Sequence, residues 1–241
     1  VWTFEEDAKG NIWIGTRTAV SVYDKEKERF LHYPISNSQE SDNSIFDIYI
    51  VDSSLLYVAT INGFFELTIT PDGYQYKSID YGVKANQERV YKINKYNDSL
   101  LIFSTKSGIG WYNLKNDRLS FYTQSFKNDF GSGGVKHIFK ARDKWYIIPN
   151  AGIYEVSIDE KGIFHTQKAF REIFKDNRVF TYGLQTNNIL WLGTYGAGLL
   201  KFDLDQNRLV KHYTESNGLP NNVIYTILAE NDQTVWVSTN R

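Results

Sequence analysis

Short apolar runs and turn residues alternate along the whole chain, and one combination of them recurs at a fixed interval. It consists of an apolar or aromatic run, a small residue, a threonine, two or three turn residues, a glycine and a second apolar run. The threonine position of its six copies, the fourth of them degenerate, is held by Thr16, Thr60, Thr105, Pro149, Thr194 and Thr239. These positions are 44 or 45 residues apart, which indicates a structural repeat.

The start of the first strand-like run of each repeat recurs at the same interval. These strands are expected to begin near Val1, Ile45, Val90, Val135, Val179 and Val223. Each complete repeat holds four strand-like runs, separated by turn sequences such as Asp7–Gly10 and Asp159–Gly162. Helical repeats would need long stretches with a 3.6-residue period, which the sequence lacks, and a β-sandwich would not keep a strict interval. Four strands in about 45 residues is the size of one β-propeller blade.

The pattern therefore predicts an all-β fold, a β-propeller arc of four-stranded antiparallel blades. We expect one propeller fragment over 1–241, about five and a half blades of a seven-bladed ring that would need about 310 residues. The expected blades are 1–44, 45–89, 90–134, 135–178, 179–222 and an incomplete 223–241. The unpaired strand edges of an open arc would allow pairing with a second copy of the chain, which is a homodimer.

Several repeat positions lead to expectations about packing and backbone. The residue three places before the threonine position is expected to pack between neighbouring blades; it is Trp13, Tyr57, Tyr146, Trp191 or Trp236, with Ile102 as the exception. Glycines in the turn after the second strand are expected to have positive φ; they are Gly63, Gly108, Gly152 and Gly198. Pro149 cannot donate a ladder hydrogen bond, so the fourth blade should be irregular. A helical pattern occurs at 167–174.

Composition narrows the classes of function. The net charge of −1 provides no basic excess for a nucleic-acid partner, and no apolar run approaches the length of a membrane span. Membrane attachment would therefore come through segments outside this sequence. The absence of cysteine removes disulfides, thiolate nucleophiles and cysteine metal sites, and no pattern calls for a cofactor. The start at Val1, without a methionine or a signal-peptide pattern, indicates an excised piece or a mature segment.

Four segments resemble the two-component regulator propeller repeat: Trp13–Thr16, Trp191–Leu199, Asn217–Tyr225 and Val235–Asn240. In that family the repeats form the periplasmic sensor of Bacteroides-type hybrid two-component system histidine kinases, which detect oligosaccharides released from glycans. The resemblance thus implies a periplasmic, ligand-sensing propeller module of such a kinase, with an oligosaccharide as ligand. Its partners would be the remaining blades and the downstream domains of the same receptor. No kinase or receiver motif occurs in this sequence.

A ligand would be expected at one end of the blades, since the turn between strands two and three and the link to the next blade emerge on the same face. Long, polar or cationic residues occupy these places. The turns supply Arg17, Asn62, Lys106, Asn150 and Tyr195, and the links supply Arg89, Arg178 and Asn222. A rim with several cations would suit an acidic sugar, because arginine and carboxylate form paired hydrogen bonds. Each of these residues is alternatively a solvated loop residue.

The sequence does not predict an enzyme, a catalytic residue or a metal site. The four histidines lack the spacing of metal ligands, and His32 and His212 occupy equivalent fourth-strand places, which indicates a structural role. Glycoside hydrolysis would need two converging carboxylates, and Asp47 in a first strand has no evident partner. The alternatives to a sensor are a non-catalytic protein-interaction or dimerisation scaffold, and a propeller lyase or glycosidase.

Overall fold

The structure is a computed structural model that describes residues 2–35, 43–79, 89–122, 130, 134–150, 152–170, 180–231 and 234–240. The chain divides into two compact units, Val1–Thr123 and Gln124–Arg241. In both units every sheet is antiparallel, and strands that follow each other along the chain are neighbours in the sheet. This meander order is what short turns between consecutive apolar runs produce.

The first unit contains three four-stranded sheets in the described residues. The strands of the first sheet are β1 (Thr3–Glu6), β2 (Ile12–Gly15), β3 (Ala19–Asp24) and β4 (Arg29–Pro34). Those of the second are β5 (Ile45–Ile50), β6 (Leu55–Thr60), β7 (Gly63–Thr70) and β8 (Gly73–Ser78). Those of the third are β9 (Val90–Asn97), β10 (Leu100–Thr105), β11 (Ile109–Asn113) and β12 (Arg118–Tyr122).

The second unit contains two four-stranded sheets and a two-stranded sheet in the described residues. The first has β13 (Val135–Ala141), β14 (Lys144–Pro149), β15 (Tyr154–Ile158) and β16 (Phe164–Lys168). The second has β17 (Phe180–Thr186), β18 (Ile189–Thr194), β19 (Leu199–Asp203) and β20 (Arg208–Tyr213). The third has β21 (Ile224–Ala229) and β22 (Val235–Thr239), after a 3₁₀ helix at Glu215–Asn217. The predicted fold class, all-β with four-stranded antiparallel blades, is confirmed.

Apolar side chains fill the space between neighbouring sheets of one unit. Trp13 on β2 is buried with Ile45 and Ile48 of β5, and Tyr57 on β6 is buried with Val90 and Ile93 of β9. In the second unit Tyr146 packs with residues of β17 and β18, and Trp191 packs with Ile224 and Ile227 of β21. The expected inter-blade role of this repeat position is confirmed for these four aromatics. Trp236 is the exception, with 64% of its surface exposed.

The tryptophans at this repeat position also tie their sheet to the turn between its first two strands. Each indole N–H donates to a polar side chain five or six residues earlier: Trp13 to Asp7 at 3.0 Å, Trp191 to Thr186 at 3.0 Å and Trp236 to Glu230 at 2.9 Å. The buried indoles of Trp13 and Trp191 need such a partner, because an unsatisfied buried N–H would lower the stability of the fold. Burial alone would raise the pKa of Asp7, but hydrogen bonds from Trp13, Asn11 and Lys9 outweigh burial and lower it.

The repeated threonine closes the turn between the second and third strands. Its hydroxyl donates to a backbone carbonyl three or four residues later: from Thr16 to Ala19 at 2.8 Å, Thr60 to Gly63 at 3.1 Å, Thr105 to Gly108 at 3.3 Å and Thr194 to Gly198 at 2.7 Å. The same oxygen accepts a backbone N–H inside the turn, at Thr194 that of Ala197 at 3.0 Å. A hydroxyl can do both at once, which explains why threonine recurs at this place.

Replacing Thr194 by valine keeps the shape of this buried side chain but removes both hydrogen bonds. Because Thr194 is fully buried, we expect the free energy of unfolding to fall by about 1–3 kcal/mol, measured by urea unfolding followed by circular dichroism. Thr70→Val is the matched control, since Thr70 donates to Gly73 at 3.2 Å in an exposed turn where water replaces the lost bond. Equal losses in the two variants would contradict a role for the buried turn hydrogen bonds.

Other local predictions are partly confirmed. Gly63, Gly152 and Gly198 have φ of 133°, 124° and 82°, as expected, whereas Gly108 is not among the residues with positive φ, so that prediction is wrong. A Cβ at Gly198 would lie 2.0 Å from the Tyr213 carbonyl oxygen, so this turn also excludes larger residues. At Gly108 the hydrogen bonds to Thr105 close the turn without the left-handed conformation.

The fourth repeat is irregular where proline replaces threonine. β14 pairs with β15 only from Trp145 to Ile147, so Ile148 and Pro149 lie outside this pairing, as the missing proline donor predicts. The helical pattern at 167–174 is wrong in its first part, because Gln167 and Lys168 belong to β16 and the next two residues are not helical. Residues 171–174 lie outside the described residues.

Candidate functional site

The turn between the second and third strands meets the link that enters a first strand, and backbone hydrogen bonds join the two. In the first unit the Arg17 carbonyl accepts the Asn43 N–H at 3.1 Å, and the Arg89 carbonyl accepts the Lys106 N–H at 2.9 Å. In the second unit the Asn222 carbonyl accepts from Gly196 and Gly198 at 3.1 and 2.8 Å. We call this end of each sheet the turn-and-link end. Turn and link residues therefore lie together within each unit, as their predicted placement requires.

Three turn residues of the first unit lie at this end. Arg17 and Lys106 are exposed, whereas Asn62 is half-buried. The Asn62 side-chain amide donates to the side-chain oxygen of Asn43 at 3.1 Å, and Asn43 is itself 6% exposed. Asn43 is a polar residue of this end that the sequence interpretation missed, because it precedes the expected strand by two positions. Asn62 thus helps to hold the link in place, and the two cations are the side chains that reach solvent.

Arg89 has a defined environment of aromatic rings. Its guanidinium carbon lies 5.7 Å from the ring centroid of Phe46 and 6.0 Å from that of Tyr91. Phe46 and Tyr91 follow the first residue of β5 and β9, and their centroids are 5.9 Å apart. Trp2 lies at the corresponding place before β1, with its ring centroid 5.8 Å from that of Phe46. The sequence interpretation missed these three aromatics, although they recur at the repeat interval.

The second unit carries three further predicted site residues that the structure describes. Tyr195 is 62% exposed and bridges to Val223 through backbone pairing. Asn222 and Glu215 bind each other: the Asn222 side-chain oxygen accepts the Glu215 backbone N–H at 2.8 Å, and the Asn222 backbone N–H donates to the Glu215 carboxylate at 2.9 Å. Asn150 is exposed in the turn between β14 and β15. Arg178 lies outside the described residues, and the role of all eight residues in binding stays a prediction.

Asp47 does have a partner, which the sequence did not reveal. Its carboxylate accepts the Lys92 ammonium at 2.7 Å and the Ile93 N–H at 2.8 Å, so it joins β5 to β9. Glu5 of β1 lies 3.9 Å from the same ammonium. The partners are 45 and 46 residues apart, which is one repeat, and this long range explains why local sequence reasoning missed them.

Burial raises the pKa values of Asp47 and Glu5, although the Lys92 ammonium acts in the opposite direction. Two carboxyl groups with raised pKa values are also what an acid–base enzyme would present. However, Asp47 is 1% exposed, and both of its oxygens are engaged between the strands. A neighbouring cavity of about 300 Å³ is lined by Glu5 and Lys92 but not by Asp47. The geometry therefore favours a structural link between sheets.

Each of the four histidines has a hydrogen-bond partner in the described residues. His32 meets the Ser21 hydroxyl at 2.8 Å, His212 meets the Ala197 carbonyl, and His137 meets the Gly183 carbonyl at 3.1 Å. The fourth, His165, lies 2.9 Å from the Asp159 carboxylate. Within the described residues, no group of three or more His, Asp or Glu side chains is placed to hold a metal ion. In the same residues, no helix has the length and apolar character needed to cross a membrane.

Four-stranded antiparallel sheets that recur every 44 or 45 residues define blades of the β-propeller class. The family model described as two component regulator propeller matches residues 1–18 and 218–241. These segments contain Trp13–Thr16 and the end of the chain from Gly218, so the resemblance to this repeat family is confirmed. Histidine kinase P4 of Formosa agariphila is 25% identical over 151 residues, which is 59% of this chain and 11% of that protein.

Solved structures show the same fold. The extracellular domain of a protein described as a hybrid two component system from B. thetaiotaomicron has a TM-score of 0.66 at 18% identity, over 98% of this chain and 36% of that one. Virginiamycin B lyase from Staphylococcus aureus has a TM-score of 0.68 at 16% identity, over 98% of this chain and 76% of that one. The chain thus spans about a third of the extracellular domain and about a tenth of the kinase.

Proposed function

We propose that the chain is a ligand-sensing propeller module in the extracytoplasmic part of a hybrid two-component histidine kinase, and that its ligand is an oligosaccharide. The observation that carries this proposal is the match of both ends of the chain to the two component regulator propeller. The similarity to a histidine kinase and to the extracellular domain of a hybrid two component system supports the same context.

The geometry of the turn-and-link end supports a binding role for it. Long polar and cationic side chains stand on turns that are closed by repeated threonines, so a regular scaffold carries variable residues. Rigid scaffolds with variable loops are a common basis for binding sites. The periplasm is the proposed compartment, and further blades and domains of the same receptor are the proposed partners. The same proposal includes a homodimer of two copies of the chain.

A non-catalytic role is part of the proposal. The likeness to virginiamycin B lyase, at 16% identity, concerns the fold, and one fold serves many unrelated functions. The carboxylate that most resembles a catalytic group, Asp47, is buried between strands in contact with Lys92 and Ile93. A plain interaction scaffold remains the second candidate, and it differs from a sensor in having no small-molecule ligand.

The test is a calorimetric titration of glycan-derived oligosaccharides, neutral and acidic, against the complete extracytoplasmic part that contains this chain. A sensor is expected to bind one class with saturation and to leave that ligand chemically unchanged, as checked by chromatography after the titration. Cleavage of the ligand would favour the enzyme alternative. Absence of binding across the set, together with self-association in sedimentation experiments, would favour the scaffold.

A further inference from the structure

One backbone irregularity recurs in the first strand of five sheets. The pairing of first and second strands skips one residue, which is Phe46, Tyr91, Lys136, Thr181 or Tyr225. These residues are 44 or 45 positions apart, so the bulge belongs to the repeat. A bulge leaves its extra residue outside the ladder and redirects that side chain, and bulges are enriched beside binding sites. In each of these five sheets, one side chain beside the link therefore stands outside the regular alternation of the ladder.

In the first unit this position is aromatic in three successive repeats. Trp2 precedes Phe46 by 44 residues, and Phe46 precedes Tyr91 by 45. The ring centroids follow each other at 5.8 and 5.9 Å. Trp2 is 61% exposed, so one end of this aromatic row reaches solvent. An exposed aromatic face attracts the polarised C–H groups of a sugar ring, because the ring face carries partial negative charge.

Arg89 adds a positioned cation to the row. Contacts with the Phe46 and Tyr91 rings hold the guanidinium, and the Arg89 carbonyl accepts the Lys106 N–H, which brings the turn carrying Lys106 to the same end. Neither Arg89 nor Lys106 forms an ion pair with a carboxylate among the described residues. A guanidinium held by rings loses little freedom on binding, and its planar donors match a carboxylate.

We propose that Arg89 and the aromatic row of Trp2, Phe46 and Tyr91 form a subsite for a carboxylate-bearing sugar, a uronic acid unit of an oligosaccharide. The carboxylate binds the Arg89 guanidinium while a sugar ring packs against the aromatic row. This inference rests on the proposed sensing function and specifies the ligand class of the turn-and-link end. It assigns a binding role to three aromatic residues that are not among the polar and cationic residues predicted for this end.

The experiment is a calorimetric titration of the chain with trigalacturonic acid and with its methyl ester, which keeps the sugar rings and removes the charges. We expect the acid to bind at least about tenfold more tightly than the ester. Arg89→Gln should weaken binding of the acid by about 10- to 100-fold and leave the ester unaffected, with Arg89→Lys in between. Arg118→Gln, an exposed arginine at the start of β12, is the matched control and should change nothing.

Two variants of Tyr91 test the role of the aromatic row. Tyr91→Ala should weaken binding of both probes, whereas Tyr91→Phe, which keeps the ring, should bind normally. Circular dichroism checks that each variant is folded. Equal affinity for acid and ester, competition by sodium sulfate as strong as by the acid, or no binding of either probe would overturn the inference. The titration of the complete extracytoplasmic part with neutral and acidic glycans would still decide separately whether the protein is a sensor.

Discussion

Replacing Trp13 by alanine is expected to lower the free energy of unfolding by about 3–5 kcal/mol. Trp13 is 2% exposed, packs with residues of β5 and β6 in the neighbouring sheet, and lies 6.2 Å from the Tyr33 ring. Its removal leaves a cavity between two sheets and breaks the hydrogen bond to Asp7. Urea unfolding followed by circular dichroism measures the loss.

Trp236→Ala is the matched control, because Trp236 occupies the same place in the repeat but is 64% exposed. We expect it to cost less than about 1 kcal/mol, since little apolar surface returns to water. Trp13→Phe separates the two contributions of Trp13: it keeps most of the packing and should cost about 1 kcal/mol for the lost indole hydrogen bond. Similar losses for Trp13→Ala and Trp236→Ala would contradict inter-blade packing as the origin of stability.

Asp47→Ala is expected to cost about 2–4 kcal/mol. Removing one partner of a buried ion pair costs about 3–5 kcal/mol, and the lower range applies here because the Lys92 side chain is 32% exposed. The variant also removes the acceptor of the Ile93 N–H, so two contacts between β5 and β9 are lost. Unfolding in urea at neutral pH gives the measurement.

Glu5→Ala is the control for Asp47→Ala, since Glu5 lies near the same ammonium at 3.9 Å but is 39% exposed. An exposed pair of this kind contributes about 0–1 kcal/mol. The variant Asp47→Asn tests how the free energy of unfolding depends on pH. Burial raises the pKa of Asp47 in the folded state, so the wild type should lose stability relative to Asp47→Asn as pH rises above about 4. A Glu5 effect as large as that of Asp47 would show that the buried link is not the main contact.

Some of the site could be predicted from residue order, and some could not. Arg17, Lys106 and Arg89 were placed at one end because the repeat interval determines where turns and links lie, and within the first unit the structure shows them there. Phe46 and Tyr91 were missed because a bulge, which alternation of apolar and polar residues does not reveal, redirects them. Asn62 was expected to face a ligand, but its amide contacts Asn43, a pairing across 19 residues.

The amino-acid sequence by itself determined the all-β fold class, the four-stranded unit and the aromatic position that packs between sheets. It could do so because the same pattern of apolar runs and turn residues recurs every 44 or 45 residues, so the prediction does not depend on any single segment. The tertiary structure decided which polar groups meet: Asp47 with Lys92, Trp13 with Asp7, and Arg89 with two aromatic rings. The physical reason is that such contacts depend on side-chain direction and bulges across neighbouring strands, which composition and spacing do not specify.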